Sequence, residues 1–342
     1  MKKSIFTLVM FCCALMGKAQ VTDEQSAILQ VGDNVQIFYG VDALVEAVAA
    51  APDRGGVITL SAGTFNGTTI TKCVSIYGAG WVTELKPTSS ESPLENSILP
   101  TKITGNMTIN LTDGLEAPHN LRFEGLSFDK QTTVSTMIDG LEFWKCSGAN
   151  VSFSEINYNV TFTQCVMSSV YRVNQLLVQN CYVGTIDLTR YDGNSTVIFN
   201  HCLVNPDYNY GSNTMWYQTD GWFYFFNCMS TGYQNRLKHG YYRNCMMNME
   251  NLDGWTGSTD NFFSINYGTI FKDAENANYS DARTFELKDE LKGTYIGSDG
   301  TEVGINGGNF PWNKTPHTPL VKDLKLSIDG TQLKVEYNAE TR

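Results

Sequence analysis

The stretch that decides the fold is VTFTQCVM at residues 160–167, because versions of it recur along the middle of the chain. In each version apolar residues occupy alternating positions, two other residues follow, and a cysteine comes next. The further versions are Leu141-Phe143-Cys146, Leu176-Val178-Cys181-Val183, Val197-Phe199-Cys202-Val204, Phe223-Phe225-Cys228 and Tyr242-Cys245-Met247, preceded by Leu121-Phe123-Leu126-Phe128 with leucine in place of cysteine. Alternating apolar residues are typical of β-strands. Because the copies follow one another every 16 to 26 residues, they predict short strands stacked in a parallel solenoid.

A two-residue corner explains the gap before each cysteine. The first strand ends on an inward apolar residue, two residues turn outward, and the next strand begins inward with the cysteine. The second corner residue is polar in five copies, namely Gln164, Asn180, His201, Asn227 and Asn244. We expect these side chains to bond to their own corner backbone or to the equivalent residue one coil away.

The cysteines are predicted to be structural. Nine are present, and seven remain when Cys12 and Cys13 of the N-terminal leader are set aside, an odd number that cannot all form disulfides. Their fixed inward place in the repeat predicts a buried ladder of small apolar side chains. A metal site is the alternative, but positions in a line along a solenoid do not form a tetrahedron.

The first residues have the composition of an export signal. Lys2 and Lys3 precede an apolar run from residue 5 to residue 16, and a small-x-small sequence ends at Ala19. The apolar run is too short for a stable transmembrane helix, so we predict a signal peptide at residues 1–19. It resembles the signal peptides of Bacteroidota. We expect export to the periplasm, the cell surface or the medium, and no membrane-spanning segment.

The charge of the exported chain limits its partners. Without Lys2, Lys3 and Lys18, 21 of the 24 Lys and Arg residues remain against 35 Asp and Glu, a net charge of −14. Such a charge repels nucleic-acid phosphates and anionic lipid. We therefore predict no nucleic-acid partner, and we expect polyanionic polysaccharides to bind only with assistance.

The N-terminal end resembles the opening of pectin-lyase-like β-helix proteins. An Ala-rich stretch from Asp42 to Ala51 predicts a short helix with Asp42 as its N-cap. The sequences GGVITL at 55–60, GTF at 63–65 and SIYGAG at 75–80 follow, as in the first coils of that superfamily. The resemblance implies a right-handed parallel β-helix in which the helix shields the open edge of the first coil.

The C-terminal end completes the predicted architecture. DGTEVGINGG at residues 299–308 resembles the last coil of Bacteroidota β-helix proteins. Two strand-like runs, 322–328 and 332–337, meet at Asp329-Gly330, which predicts a hairpin. We thus predict an all-β chain: a signal peptide (1–19), a single-stranded right-handed parallel β-helix with an N-terminal capping helix (20–312), and a C-terminal hairpin that caps the last coil (313–342).

The resemblance is specific for the fold rather than for the function, because the superfamily holds lyases, hydrolases, esterases and adhesins. A pectate-lyase-like enzyme would need aspartates gathered around Ca²⁺ and a basic residue that takes a proton next to a carboxylate. No such cluster appears, and the motifs of polygalacturonases and pectin methylesterases are missing. Because no catalytic set is recognisable, we do not predict an enzyme, and enzymatic activity stays an alternative.

Three Asp-Gly pairs precede strands, at residues 139–140, 192–193 and 220–221. Stacked coil upon coil, their carboxylates could form a row that binds Ca²⁺. We favour the alternative that Asp-Gly is ordinary turn chemistry before a strand, and we predict no cofactor.

A set of polar and aromatic loop residues is the candidate ligand site. An insertion at residues 206–220 accounts for the longest step between copies, and two later loops continue it. The candidate ligand-binding residues are Tyr208, Tyr210, Trp216, Tyr217, Asp220, Tyr233, Arg236, His239 and Trp255. Sugar rings stack on aromatic faces and bond in plane to amides and carboxylates, so this set favours a glycan. The alternative is that the aromatic residues pack the loops onto the solenoid.

We therefore expect a glycan-binding protein or one that takes part in surface polysaccharide handling, with a divergent polysaccharide lyase or glycoside hydrolase and a non-catalytic adhesive solenoid as alternatives. An enzyme predicts a groove with two carboxylates, or a carboxylate and a base, within about 6 Å of each other. A glycan-binding module predicts exposed coplanar aromatic residues without such a pair. An adhesin predicts only a broad lateral patch.

Overall fold

The structure is a computed structural model that describes residues 25–82, 84–85, 97–98, 100–187, 196–205, 222–231, 240–252, 257–317, 320–329 and 332–340. The predicted signal peptide, residues 1–19, lies outside them. The described chain is predominantly β, and its strands form two long sheets that are parallel over most of their length. This arrangement agrees with a stacked, solenoid-like architecture.

The first sheet has eleven strands. In spatial order they are β2 (Asn34–Tyr39), β1 (Ser26–Val31), β3 (Arg54–Leu60), β6 (Cys73–Tyr77), β11 (Leu121–Glu124), β14 (Ile138–Trp144), β16 (Asn157–Thr163), β18 (Gln175–Gln179), β20 (Thr196–Asn200), β22 (Trp222–Phe226) and β24 (Gly240–Arg243). From β3 to β24 every neighbour is parallel. Each coil of the chain therefore adds one strand to this sheet.

The second sheet has twelve strands, contributed by the segments that follow the corners. They are β25 (Met246–Met247), β23 (Met229–Ser230), β21 (Leu203–Val204), β19 (Tyr182–Asp187), β17 (Val166–Tyr171), β15 (Ser147–Phe153), β12 (Leu126–Phe128), β9 (Thr101–Thr104) and β4 (Gly63–Asn66), with β13 (Thr132–Val134), β10 (Met107–Ile109) and β5 (Thr69–Ile70) as a branch. The smaller elements are α1 (Ala43–Ala50), α2 (Tyr267–Ile270), a 3₁₀ turn (Asp289–Leu291) and the pair β7 (Glu84–Leu85) and β8 (Ser97–Ile98).

The strand register confirms the repeat. Phe143 lies opposite Phe162, whose ring is stacked on it at 4.6 Å between centroids. Phe225 stacks in the same way on Phe199 and on Tyr242, each at 4.5 Å. Burying such rings in contact supplies a large part of the apolar stabilisation of a coil.

The predicted cysteine ladder is also confirmed. The side chains of Cys146, Cys165, Cys181, Cys202, Cys228 and Cys245 are fully buried, and none is in a disulfide. Neighbouring coils are linked by weak bonds, as from the Cys165 amide to the Cys181 Sγ at 3.2 Å. Burial raises the pKa of the Cys146 and Cys165 thiols well above their ordinary values, so these thiols stay protonated.

The corner residues adopt the left-handed backbone conformation that such a turn requires. Asn180 has φ 49°, His201 51° and Asn227 56°, and Lys145 and Gln164 are similar. Asparagine tolerates this region better than most residues, which explains its frequency at the corners. In the coil before, Gly125 takes this place with φ 67°.

The sequence analysis predicted that the corner side chains bond to their own corner backbone or to the equivalent residue one coil away. They bond mainly to a segment from the far end of the chain instead. We call this segment, residues 297–317, the return strap. The Asn180 Nδ2 donates to the carbonyls of Ile305 and Gly307, at 2.9 and 2.7 Å. Lys145 donates to the Thr315 carbonyl, and Gln164 donates to Pro311. The amides can satisfy strap carbonyls that no sheet partner reaches.

The return strap runs backwards along the solenoid. Its first residues contact Asn227, since Ser298 N and Gly304 N both donate to that residue, and its last residue, His317, contacts Glu124. Residues 299–308, which resemble a last coil, therefore lie across the corners of earlier coils. Their close packing needs glycine, because a Cβ on Gly307 would lie 2.6 Å from the His201 Nδ1.

The N-terminal end differs in part from the prediction. Helix α1 forms, and its buried residues pack on strands β1 to β4. Asp42 does not cap it with its side chain, because the Asp42 Oδ1 accepts instead from Asn66 Nδ2 at 2.8 Å. A hairpin of β1 and β2, which the sequence analysis missed, pairs antiparallel with β3.

At the C-terminal end, the predicted hairpin is present as the antiparallel pair β26 (Leu320–Asp329) and β27 (Gln332–Glu340). Across the described residues no helix is long and apolar enough to cross a membrane.

Candidate functional site

All nine residues of the predicted ligand site lie outside the described residues. They are Tyr208, Tyr210, Trp216, Tyr217, Asp220, Tyr233, Arg236, His239 and Trp255. The segments that hold them leave the described chain after Asn205, Thr231 and Leu252. The structure therefore does not test whether these nine residues lie together. It does describe the surroundings of Asn205, Thr231 and Leu252, from which their segments continue.

Asn205, Thr231 and Asn248 occupy the same place in three successive coils. Each follows a strand of the second sheet, respectively β21, β23 and β25, and these strands are paired in register. The three residues line an open cavity of about 360 Å³, which we call the amide cavity. Asn266, Glu275 and Asn276 line its other side.

The residues of the amide cavity are linked by a series of hydrogen bonds, and one acceptor has no partner among the described residues. Asn248 Nδ2 donates to the Thr231 carbonyl at 3.0 Å, and the Thr231 hydroxyl donates to Asn205 Oδ1. Asn205 Nδ2 donates to the Tyr182 hydroxyl at 2.8 Å. The Asn248 Oδ1 is buried and has no hydrogen-bond partner among the residues that the structure describes. An unsatisfied buried acceptor costs about 1–3 kcal/mol, so a donor that reached it would be held firmly.

A second concavity lies where the return strap crosses the first sheet. It has a volume of about 620 Å³ and is lined by Arg122, Trp144, Lys145, Trp312 and His317, among others. We call it the strap groove. Arg122 and Trp144 stand at the same edge of the sheet because β11 and β14 are paired parallel and in register.

A carboxylate and an imidazole form the closest pair in the strap groove. Glu124 Oε1 lies 2.7 Å from His317 Nδ1, and it also accepts from the backbone N–H of His317 at 2.9 Å. The side chain of Glu124 is 1% exposed, whereas that of His317 is 54% exposed. Glu124 is the last residue of β11, and the return strap covers its side chain.

Arg122 completes the surroundings of this carboxylate. Its Nη2 lies 2.7 Å from Glu124 Oε2, its Nη1 lies 3.4 Å from Glu142 Oε2, and its guanidinium stacks over the Trp144 ring at 4.7 Å. Burial by itself would raise the pKa of Glu124. The hydrogen bonds from His317 and Arg122 and their positive charges outweigh it and lower the pKa, so Glu124 is an ionised carboxylate near neutral pH.

Two further donors of the strap groove have no acceptor. The Nε1 atoms of Trp144 and Trp312 are buried and make no hydrogen bond to any described residue. Lys145, whose side chain lies under the strap, is 3% exposed, and burial lowers its pKa from the ordinary value for a lysine. The groove thus combines an ionised acid, an accessible imidazole and unpaired N–H donors.

No group of three or more potential metal ligands occurs among the residues whose placement is described. Of the three Asp-Gly pairs, only Asp139-Gly140 is described. There Asp139 Oδ1 accepts from Asn159 Nδ2 at 2.6 Å, and Gly140 has φ 86°. This pair lies inside strand β14, where Asp139 is paired with Tyr158, and not in a turn before the strand, so the interpretation that we favoured is wrong for this pair. The other two pairs lie outside the described residues.

The sequence analysis gave neither His119 nor His317 a role. The structure separates them. His119 is 4% exposed and accepts at Nδ1 from the Asp139 amide at 3.0 Å, which is a structural contact. His317 is brought to Glu124, 193 residues away in the chain, by the return strap. No local pattern in the sequence marks such a meeting.

No protein-family profile matches the chain, and neither the curated proteins nor the solved structures contain a significant match to it.

Proposed function

We propose that the protein is an exported glycan-binding protein with a right-handed parallel β-helix of the pectin-lyase-like kind, located in the periplasm, at the cell surface or outside the cell. In this proposal helix α1 and the C-terminal hairpin cap the two ends of the solenoid. The parallel register of the coils and the resemblance of residues 41–80 support the fold assignment.

The observation that carries the function is the amide cavity. Sugar hydroxyls are at once donors and acceptors, and planar amides can meet both needs. Asn205, Asn248, Asn266 and Asn276 line one opening together with Glu275. The Oδ1 atoms of Asn205, Asn266 and Asn276 already accept hydrogen bonds from the protein, so a ligand would share or replace those contacts. The buried Asn248 Oδ1, which has no partner among the described residues, would accept from a hydroxyl that reached it.

The aromatic loops add the second element of a glycan site. The segments with Tyr208 and Trp216 and with Tyr233 are joined directly to Asn205 and Thr231, which line the cavity. An aromatic face binds the C–H face of a sugar ring, while the amides bind its edge. Binding sites of this kind combine apolar surface with a few convergent polar groups.

The ladder geometry favours an extended chain as the ligand. Equivalent residues in neighbouring coils lie about 4.8 Å apart, so three coils can follow consecutive hydroxyls of a polymer. The negative charge of the exported chain and the carboxylate of Glu275 favour a neutral glycan over a polyanionic one.

A glycan array with residues 20–342 tests the proposal, with each hit followed over time for cleavage. We expect stable binding that weakens by about tenfold in Asn248→Ala, which removes one hydrogen-bonding group, and that is lost in Trp216→Ala. Asn159→Ala, an exposed asparagine outside the cavity, is the matched control. The absence of binding to both neutral and acidic glycans would contradict the proposal and favour the adhesive solenoid. Release of a cleavage product would favour the lyase or hydrolase alternative.

A further inference from the structure

We propose that the strap groove is a hydrolytic site for small acyl esters, in which His317 acts as the general base and Glu124 positions it. This inference is independent of glycan binding at the amide cavity, because the two sites share no residue. It rests on the pairing of a carboxylate and a base well within the distance that distinguishes an enzyme from a binding module.

The geometry leaves one nitrogen of His317 available. Glu124 Oε1 accepts at 2.7 Å from His317 Nδ1, so that nitrogen carries the proton in the neutral ring and Nε2 carries the lone pair. A second bond, from the His317 backbone N–H to the same oxygen, fixes the residue at its main chain. With 54% of its side chain exposed, the imidazole can meet a substrate and a water molecule.

Glu124 is a positioning residue and does not take the proton. It is 1% exposed, and Arg122 holds its other oxygen at 2.7 Å. The environment of His317 includes further charges: Arg122 and Glu142 on the sheet, and Lys145 at the next corner, whose Nζ donates to Thr315 of the strap. An anionic partner on the far side of an imidazole stabilises the imidazolium that forms when the base takes a proton.

The groove also offers donors for the oxygen that becomes negative. Trp144 and Trp312 line the groove, and their Nε1–H groups are buried and have no acceptor among the described residues. The Trp144 ring centre is 5.9 Å from that of His317. A carbonyl oxygen that accepted from them would satisfy buried donors and gain stabilisation as charge develops on it.

The reaction follows from these parts. A water molecule gives a proton to His317 Nε2 while its oxygen bonds to the ester carbonyl carbon, and the carbonyl electron pair moves onto the oxygen near the indoles. When this intermediate collapses, the bond from carbon to the leaving oxygen breaks, and the imidazolium returns its proton to the leaving alkoxide. The products are a carboxylic acid and an alcohol, and no other reactant is consumed.

The protonation states favour an ester over a glycoside. Glycosidic cleavage requires a protonated carboxyl group that delivers its proton to the leaving oxygen. Glu124 is held ionised, and Glu142 is paired with Arg122. The imidazolium of His317 can serve the leaving alcohol of an ester, and a groove of about 620 Å³ is of the size that takes a small molecule.

The test is the initial rate of p-nitrophenyl acetate hydrolysis by the whole exported chain. We expect a rate above that of buffer, which falls by about 100-fold or more in His317→Gln. Glutamine can still donate to Glu124, so this variant retains the strap contact. Glu290→Gln, an exposed change away from the groove, is the matched control. In His317→Gly, added imidazole should restore part of the rate.

Two results would overturn the proposal: a wild-type rate equal to that of buffer, or a His317→Gln rate within twofold of the wild type. Hydrogen exchange of residues 297–317 in each variant identifies any loss that arises from a detached strap, and such a loss would not respond to imidazole. Glycan binding at the amide cavity should be the same in all these variants, so the failure of one proposal does not decide the other.

Discussion

The return strap should be sensitive to the removal of a single corner amide. Asn180 is 2% exposed and donates to two strap carbonyls, those of Ile305 and Gly307. Asn180→Ala leaves the Gly307 carbonyl buried without a donor among the described residues, at about 2 kcal/mol. It also removes one of two donors from the Ile305 carbonyl, which keeps the Trp312 N–H at 3.0 Å, at about 1 kcal/mol. Finally it places alanine in a left-handed conformation, at about 1 kcal/mol. We expect a total loss of about 4 kcal/mol in the free energy of unfolding.

A matched control separates the two causes. Asn159 has φ 51°, close to the 49° of Asn180, but it is exposed and donates only to Asp139. Asn159→Ala should therefore cost about 1 kcal/mol. The difference of about 3 kcal/mol between the two variants is the contribution of the buried strap contacts.

Urea unfolding followed by circular dichroism, with hydrogen exchange of peptides from residues 297–317, measures this difference. A local loss of about 3 kcal/mol corresponds to roughly a hundredfold faster exchange in the strap. If Asn180→Ala matched Asn159→Ala in both measurements, the corner amides would not hold the strap, and the account of the fold given above would fail.

Three further outcomes are expected. Cys202→Asp should lower the stability by more than 4 kcal/mol, because a charge enters a fully buried site; thermal melting like that of the parent would show that the inward assignment is wrong. Gly307→Ala should distort and loosen the strap, since its Cβ would lie 1.7 Å from the Glu302 carbonyl oxygen and 2.6 Å from the His201 Nδ1. Gly300→Ala meets no atom within 4 Å and costs only the strain of its φ of 80°, about 1 kcal/mol; equal strap exchange in both variants would contradict this. The lowered pKa of Glu124 means that its stabilising effect is complete above about pH 4.3 and is lost as the pH falls through its folded-state pKa, so the urea midpoints of the wild type and Glu124→Gln should converge in acid; a constant gap down to pH 2 would refute it.

The repeat was predictable because it depends on local periodicity. The positions of Phe143, Phe162 and Cys165 in their strands follow from alternation and from one two-residue corner, and the register agrees with them. Even the left-handed conformation of the corners is consistent with their Asn content.

The bonding partners of the corners were not predictable in the same way. Asn180 bonds to main-chain carbonyls 125 and 127 residues further along, and a carbonyl group has no sequence signature. The hairpin of β1 and β2 escaped for a different reason. The strand-like alternation of β2 leaves Val35, Ile37 and Tyr39 exposed rather than buried, so its pattern does not mark an inward face.

Of the candidate sites, the aromatic loops could be proposed from the sequence and the strap groove could not. The aromatic loops were found by composition, but they remain a prediction because they lie outside the described residues. The strap groove was missed because Glu124 and His317 are far apart in the sequence and because each alone has an ordinary context. Only the path of the strap brings an acid and a base together.

The return strap also changes how the chain can mature. A solenoid without it could complete its coils one by one as the chain emerges, each resting only on the one before. Here the corners of the coils from Gly125 to Asn227 are contacted by residues 297–317. The ribosome synthesises these residues more than a hundred residues after most of the corners. A chain cut short before residue 297 would display its unmet corner amides along one whole side. The corners are therefore complete only when the return strap is present, and loss of the C-terminal part would affect the coils along the whole length of the strap.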